Sequence, residues 1–148
     1  MRALRFIALL LCAFIVTLPV EARVAHHQRI VAKAAAHLDV SQVTMLTTAH
    51  LESGFEPKAR NRHSSAGGLF QFTDRTWRNY LAKYGKQYGY GPRTSKYNAH
   101  ANALMAAHLA KDNEDALRKV LRRSPRPGEI YMAHLLGLGG ATKILTAQ

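Results

Sequence analysis

The chain has 148 residues, 21 lysines and arginines against 9 aspartates and glutamates, and one cysteine. That length fits one domain and excludes a multidomain machine or a large barrel, and a 47% apolar content excludes a disordered chain. The formal charge of +12 calls for an anionic partner or surface, with nucleic acid, anionic lipid and an acidic polymer all open at this point.

Residues 1–22 have the layout of a secretory signal peptide. Arg2 and Arg5 form a basic start, Phe6 to Leu18 is an apolar run, Pro19 ends it, and cleavage is expected after Ala22. The run is too short for the ~20 residues that span a bilayer. Cys12 follows three leucines, whereas a lipidated cysteine wants a small residue before it. Export to the periplasm or cell envelope is therefore expected, and residues 23–148 would contain no cysteine and no disulfide. Removing Arg2, Arg5 and Glu21 with that segment leaves 19 basic against 8 acidic side chains. The positive excess then belongs to the exported domain.

The rest reads as mainly α. Ile30, Val31, Ala34 and Leu38 recur at helical spacing over Gln28 to Leu38. Ser41 is a good N-cap for a second helix through Val43, Leu46, Ala49 and Leu51, stopped by Gly54 and Pro57. Lys58 to Gly68 has the composition of a loop or small hairpin. Thr73 or Asp74 caps a helix through Trp77, Tyr80 and Leu81 that ends near Gly85. Gly85 to Lys96 reads as a long loop. Asn98 to Lys111 is an Ala-rich helix, and Asp112 or Asn113 is expected to cap another through Leu121. After the break at Ser124 to Gly128, two short helices are expected on either side of Gly137, Gly139 and Gly140.

Two segments carry chemistry. The first is His50-Leu51-Glu52-Ser53-Gly54-Phe55 with Pro57. The second is Gly67-Gly68-Leu69-Phe70-Gln71-Phe72, in which Gly68 falls sixteen residues after Glu52. Glu52 ends an apolar helix, where a carboxylate opposes the helix dipole, so a plain surface charge is a poor explanation of it. Apolar surroundings raise a carboxyl's pKa and suit it to donate a proton near neutral pH. A carboxyl acid catalyst is often paired with a second carboxylate about 5–9.5 Å away. Glu56, Asp74 and Glu129 are the candidates, and no recognisable motif pairs any of them with Glu52.

These residues resemble the soluble-type lytic transglycosylases, the SLT domain of the goose-type-lysozyme-like family. The likeness rests on Glu52-Ser53-Gly54-Phe55, Ser64-Ser65-Ala66-Gly67, Gly68-Leu69-Phe70-Gln71, Thr76-Trp77 and the late Tyr131-Met132-Ala133-His134, then Gly139-Gly140-Ala141. It implies a mainly α, lysozyme-like α+β fold, a single compact helical domain with a small irregular insert. It also implies a peptidoglycan substrate, the glycan strand of N-acetylmuramic acid and N-acetylglucosamine. By this resemblance Glu52 is the single catalytic acid and base, Ser53 orients it, and the Tyr131 hydroxyl faces it. Gly68, Phe70, Gln71, Tyr90 and His134 are candidate substrate contacts, with Phe70 also readable as packing.

No cofactor and no metal are expected. The eight histidines include no His-Glu-x-x-His, and His100 and His108 are too far apart on one helix to share an ion. The basic cluster of Arg118, Lys119, Arg122, Arg123 and Arg126 has no interleaved aromatics, so nucleic acid is not the expected partner. Peripheral attraction to an anionic envelope surface and a monomeric state are expected. A hydrolytic muramidase on the same fold and a non-catalytic envelope-binding or secretion-accessory protein remain alternatives.

Overall fold

The computed structural model describes residues 19–147. Residues 1–18 of the expected export segment lie outside the described residues. Five α-helices follow in order: α1 (Val20–His37), α2 (Gln42–Ser53), α3 (Asp74–Tyr84), α4 (Ala99–Leu121) and α5 (Pro127–Thr146). A 3₁₀ turn at Gly85–Tyr88 continues α3. The described residues contain no sheet, only isolated bridges from Gly67 to Arg60 and to Phe72. The domain is mainly α, consistent with a lysozyme-like fold, and the expected hairpin reduces to these bridges.

The caps follow the sequence closely. The Ser41 hydroxyl accepts from Thr44 N at 3.2 Å and Thr73 from Thr76 N at 3.3 Å, each satisfying an orphan N–H at a helix start. Gly54 takes a left-handed conformation (φ +58) and ends α2, as a glycine can at low cost. α1 starts eight residues earlier than the periodicity indicated. No breaker lies between Val20 and Gln28, and Glu21 in the first turn suits the helix dipole. The expected cleavage point after Ala22 therefore falls in the first turn of α1.

The larger correction concerns α4. It runs unbroken for 23 residues through Asp112 and Asn113, which were expected to cap a separate helix. No Gly or Pro interrupts it, and both polar residues have tertiary roles. Asp112 accepts hydrogen bonds from Tyr80, Lys83 and Tyr84 of α3, while Asn113 is buried. Burial opposes ionisation of Asp112, but the Lys83 and tyrosine hydrogen bonds overcome this and hold its carboxyl below the usual range. α5 does contain two helical segments, because Gly137 (φ +71, ψ 160) interrupts it in a conformation open essentially only to glycine.

α4 is the central element of the core. Ala101, Ala103, Ala106 and Ala107 let neighbouring helices approach closely, and Met105 fills the space between them. α1 packs on it through Ile30, Val31, Ala34 and Ala35, while Leu69, Phe70, Phe72, Trp77 and Leu81 complete the same cluster. A smaller cluster of Leu117, Ala133 and Ala141 holds the far half of α4 against α5. The C-terminal end of α2 is thereby set facing the middle of α5. No helix among the described residues is long and apolar enough to cross a membrane.

Candidate active site

Glu52 is the penultimate residue of α2 and keeps 16% of its side chain exposed. α5 brings His134 against it, with His134 Nε2 3.4 Å from Glu52 Oε1 and 18% of the histidine exposed. Tyr131, one turn earlier on α5, stacks nearly parallel to His134 with ring centroids 6.2 Å apart. Burial, and then the negative charge of Glu52, push the Tyr131 phenol up from its ordinary value. Tyr131 thus lies within electrostatic reach of Glu52. Among the described residues, however, the side chain in contact with the carboxyl is His134, and no hydrogen bond joins Tyr131 to it.

Behind this group lies a small cavity between α2, α4 and α5, with Thr44, Thr48, Phe70, Asn113, Tyr131 and His134 in its wall. Thr44 Oγ1 and Asn113 Nδ2, both buried there, have no hydrogen-bond partner among the described residues. The site therefore keeps unused polar capacity beside an otherwise apolar wall of Met45, Ala106, Leu109 and Ile130.

The segment from Gly67 to Phe72 underlies the end of α2. Ser53 does not donate to Glu52. Its hydroxyl lies between two backbone carbonyls, Leu69 O at 2.9 Å and Ala49 O at 3.1 Å, and so ties the last turn of α2 to the glycine-rich loop. This corrects the expected direct contact, and the reason is geometric: a side chain one position after Glu52 points to a different face of the helix.

Gln71 holds the same loop. Its Nε2 donates to Gly68 O at 3.0 Å and to Ala59 O at 3.4 Å, so its donors are committed to backbone. Gln71 and Phe55 are non-glycine residues with positive φ (+48 and +64), and they bracket the motif. Such backbone costs about 1–3 kcal/mol per residue and persists only where neighbours over-determine it. Here the Gln71 amide bonds and the burial of Phe55 do so.

Three expected substrate contacts fall elsewhere. Phe70 is 1% exposed and belongs to the core, touching the site only through the wall of the small cavity behind it. Gly68 is buried, and its glycine character serves packing against α4 rather than approach of a sugar. A Cβ there would come under 3.0 Å from both Asn102 Nδ2 and the Lys96 carbonyl oxygen. Tyr90 lines a separate cavity with Arg78, Leu81, Lys86 and Pro92, which shares no wall with the one at His134. A surface tyrosine between glycines carries no information in the sequence about which groove it borders.

Of the carboxylates that were candidates to pair with Glu52, Asp74 and Glu129 are ion-paired elsewhere. Glu56 is exposed and accepts from Lys58 N at 2.9 Å. Asp74 pairs with Lys96 Nζ at 2.5 Å, and that hydrogen bond lowers its carboxyl. Glu129 is gripped by Arg123 at 2.6 and 2.8 Å and by Arg126 N, which pull its carboxyl down to about 2. The basic cluster is partly neutralised as well, since Arg118 pairs with Glu114 and Asp115 and Arg123 with Glu129.

Two residues of the site neighbourhood carried no motif signal. Asn102 looks like one more polar residue in an Ala-rich helix, and Lys96 like a loop lysine. A lone amide flanked by alanines on a buried face is the only hint the sequence holds for the first. Nothing local marks the second.

The family model for the transglycosylase SLT domain matches residues 29–134. That span contains Glu52, the glycine-rich loop, Tyr131 and His134, and it ends before the Gly137 interruption of α5. The domain implies binding and cleavage of peptidoglycan glycan strands. With the match covering well over half of the sequence, and with a helical fold that sets the Glu-Ser end of α2 on the Gly-Leu-Phe-Gln loop, this chain belongs to the transglycosylase SLT-domain family.

Proposed function

We propose that the protein is an exported lytic transglycosylase that cuts the β-1,4 bond between N-acetylmuramic acid and N-acetylglucosamine with Glu52 as its single catalytic carboxyl. The observation that carries this reading is the setting of Glu52: mostly buried, in contact with His134, while Asp74 and Glu129 are ion-paired with Lys96 and Arg123 and Glu56 is turned out to solvent. A hydrolase with two carboxylates needs one of them free to act on water or on the sugar.

A single carboxyl suffices if the substrate supplies its own nucleophile. Glu52 gives its proton to the glycosidic oxygen, and the C1–O bond breaks with its electron pair going to the departing sugar. The resulting carboxylate then takes the proton from the muramyl 6-hydroxyl, and O6 bonds to C1. The product is a 1,6-anhydromuramyl end, Glu52 is protonated again, and no water is consumed. Export rests on the basic start and apolar run of residues 1–22. It places the positive surface opposite the acidic polymer that the reaction uses.

The test is digestion of purified sacculi followed by mass spectrometry of the fragments. Wild type is expected to yield 1,6-anhydromuramyl ends, and Glu52→Gln to lose at least ~10²-fold of activity with its fold kept. Reducing ends alone would mean a hydrolytic muramidase. Unchanged digestion by Glu52→Gln would overturn the site.

A further inference from the structure

One peptide unit under the site is held from both sides. The carbonyl of Leu69 accepts from Ser53, which directly follows Glu52. The N–H of the same peptide, on Phe70, donates to Asn102 Oδ1 at 3.1 Å. Asn102 is fully buried (0% exposed) in the first turn of α4, and its Nδ2 donates to Lys96 O at 2.7 Å. Its amide therefore uses its oxygen on the loop and its nitrogen on the strap that enters α4. Against this amide stands Gly68, where even a Cβ would not fit. The strap is anchored in turn, since Lys96 Nζ reaches Asp74 at 2.5 Å and the Ser65 carbonyl.

From this we infer that Asn102 is a positioning residue for the reaction, acting on Glu52 through the Leu69–Phe70 peptide and Ser53. The inference rests on the proposed function of Glu52. The last turn of a helix frays unless its carbonyls and side chains are tied down, and Glu52 sits in that turn. Ser53 ties it to a loop, and a loop can hold a helix end only as firmly as the loop itself is held. Asn102 supplies that hold from the middle of the core. It fixes the orientation of the peptide plane, because both polar ends of the plane are bonded at once. Loss of either bond frees the plane to rotate and moves the Ser53 acceptor. A displacement of about 1 Å at a catalytic group can cost on the order of 10²-fold in rate.

The test uses the full chain, with turnover of sacculi measured per folded molecule and folding followed by far-UV circular dichroism. Asn102→Ala is expected to lower kcat and kcat/KM together by about 10- to 100-fold with KM held, the pattern of a lost transition-state geometry. Ser53→Ala, at the partly exposed end of α2, is expected to give the same pattern, and it carries the test if Asn102→Ala does not fold. Because both act through one peptide, the double variant is expected to fall little further than the worse single one. Hydrogen exchange at Phe70 N–H is expected to speed up in both variants. A kcat per folded molecule within about twofold of wild type in either variant, or full additivity of the two, would overturn the inference. Glu52→Gln in the same assay separates the two ideas. If it is inactive while Asn102→Ala and Ser53→Ala keep full kcat, only the positioning role fails. If it is active, the functional reading fails and takes the positioning role with it.

Discussion

Gly68→Ala tests the packing under the site most directly. Gly68 has φ +83, outside the range an alanine adopts freely, so backbone strain alone costs about 1–3 kcal/mol. The added methyl would sit under 3.0 Å from Asn102 Nδ2 and from the Lys96 carbonyl. Both of these atoms are partners in one buried hydrogen bond, so moving either leaves polar atoms unsatisfied at about 1–3 kcal/mol. The sum, about 2–6 kcal/mol, is a large part of the 5–15 kcal/mol typical of a domain. Gly89→Ala supplies the control, since Gly89 also has positive φ (+75) but open space around it. It should cost only the backbone part, about 1–3 kcal/mol. Urea unfolding followed by circular dichroism measures both, with the midpoint moving and the slope unchanged. A Gly68→Ala loss no larger than that of Gly89→Ala would refute the reasoning, because the loop would then yield to the methyl at no cost.

Two further outcomes follow from the packing and the ion pairs. Leu117 is fully buried between α4 and α5, so Leu117→Ala should cost about 2–5 kcal/mol in the same urea experiment; a loss below about 1 kcal/mol would mean that α5 is not held there. Glu129 is lowered from 4.5 to about 2 by Arg123 and the Arg126 N–H. Its carboxylate therefore stabilises the fold above about pH 4.5, and that contribution drains away as pH falls toward 2. Melting temperatures of wild type should fall across that window more steeply than those of Glu129→Gln, and parallel curves would refute the assignment.

The local grammar of this protein is legible in its sequence. Ser41 and Thr73 as caps, Gly54 as the stop of α2, and the break in α5 at Gly137 all depend on interactions within a few residues. The same holds for the motif that contains Glu52, because its residue types and spacing lie along the chain itself. The misreadings share a cause. Asp112 and Asn113 look like caps when only neighbours in sequence are considered, yet α3 claims the first and the core buries the second.

What reaches Glu52 was decided by tertiary structure alone. The resemblance marks Tyr131 as the side chain facing Glu52; the packing of α5 on α4 puts His134 in contact with the carboxyl, with Tyr131 stacked on His134 and within electrostatic reach. A turn of helix separates those two residues, and only the rotation of α5 about its axis chooses between them. Ser53, Gly68, Gln71 and Phe70 were picked out as site residues, and the fold sets them beneath the site as its support. Asn102 was invisible because its partners, Phe70 and Lys96, meet only after α4 folds across the loop. Chemistry at a residue is written in its own type and its near neighbours. Orientation is set by contacts between segments far apart in the chain, and no periodicity or spacing encodes those.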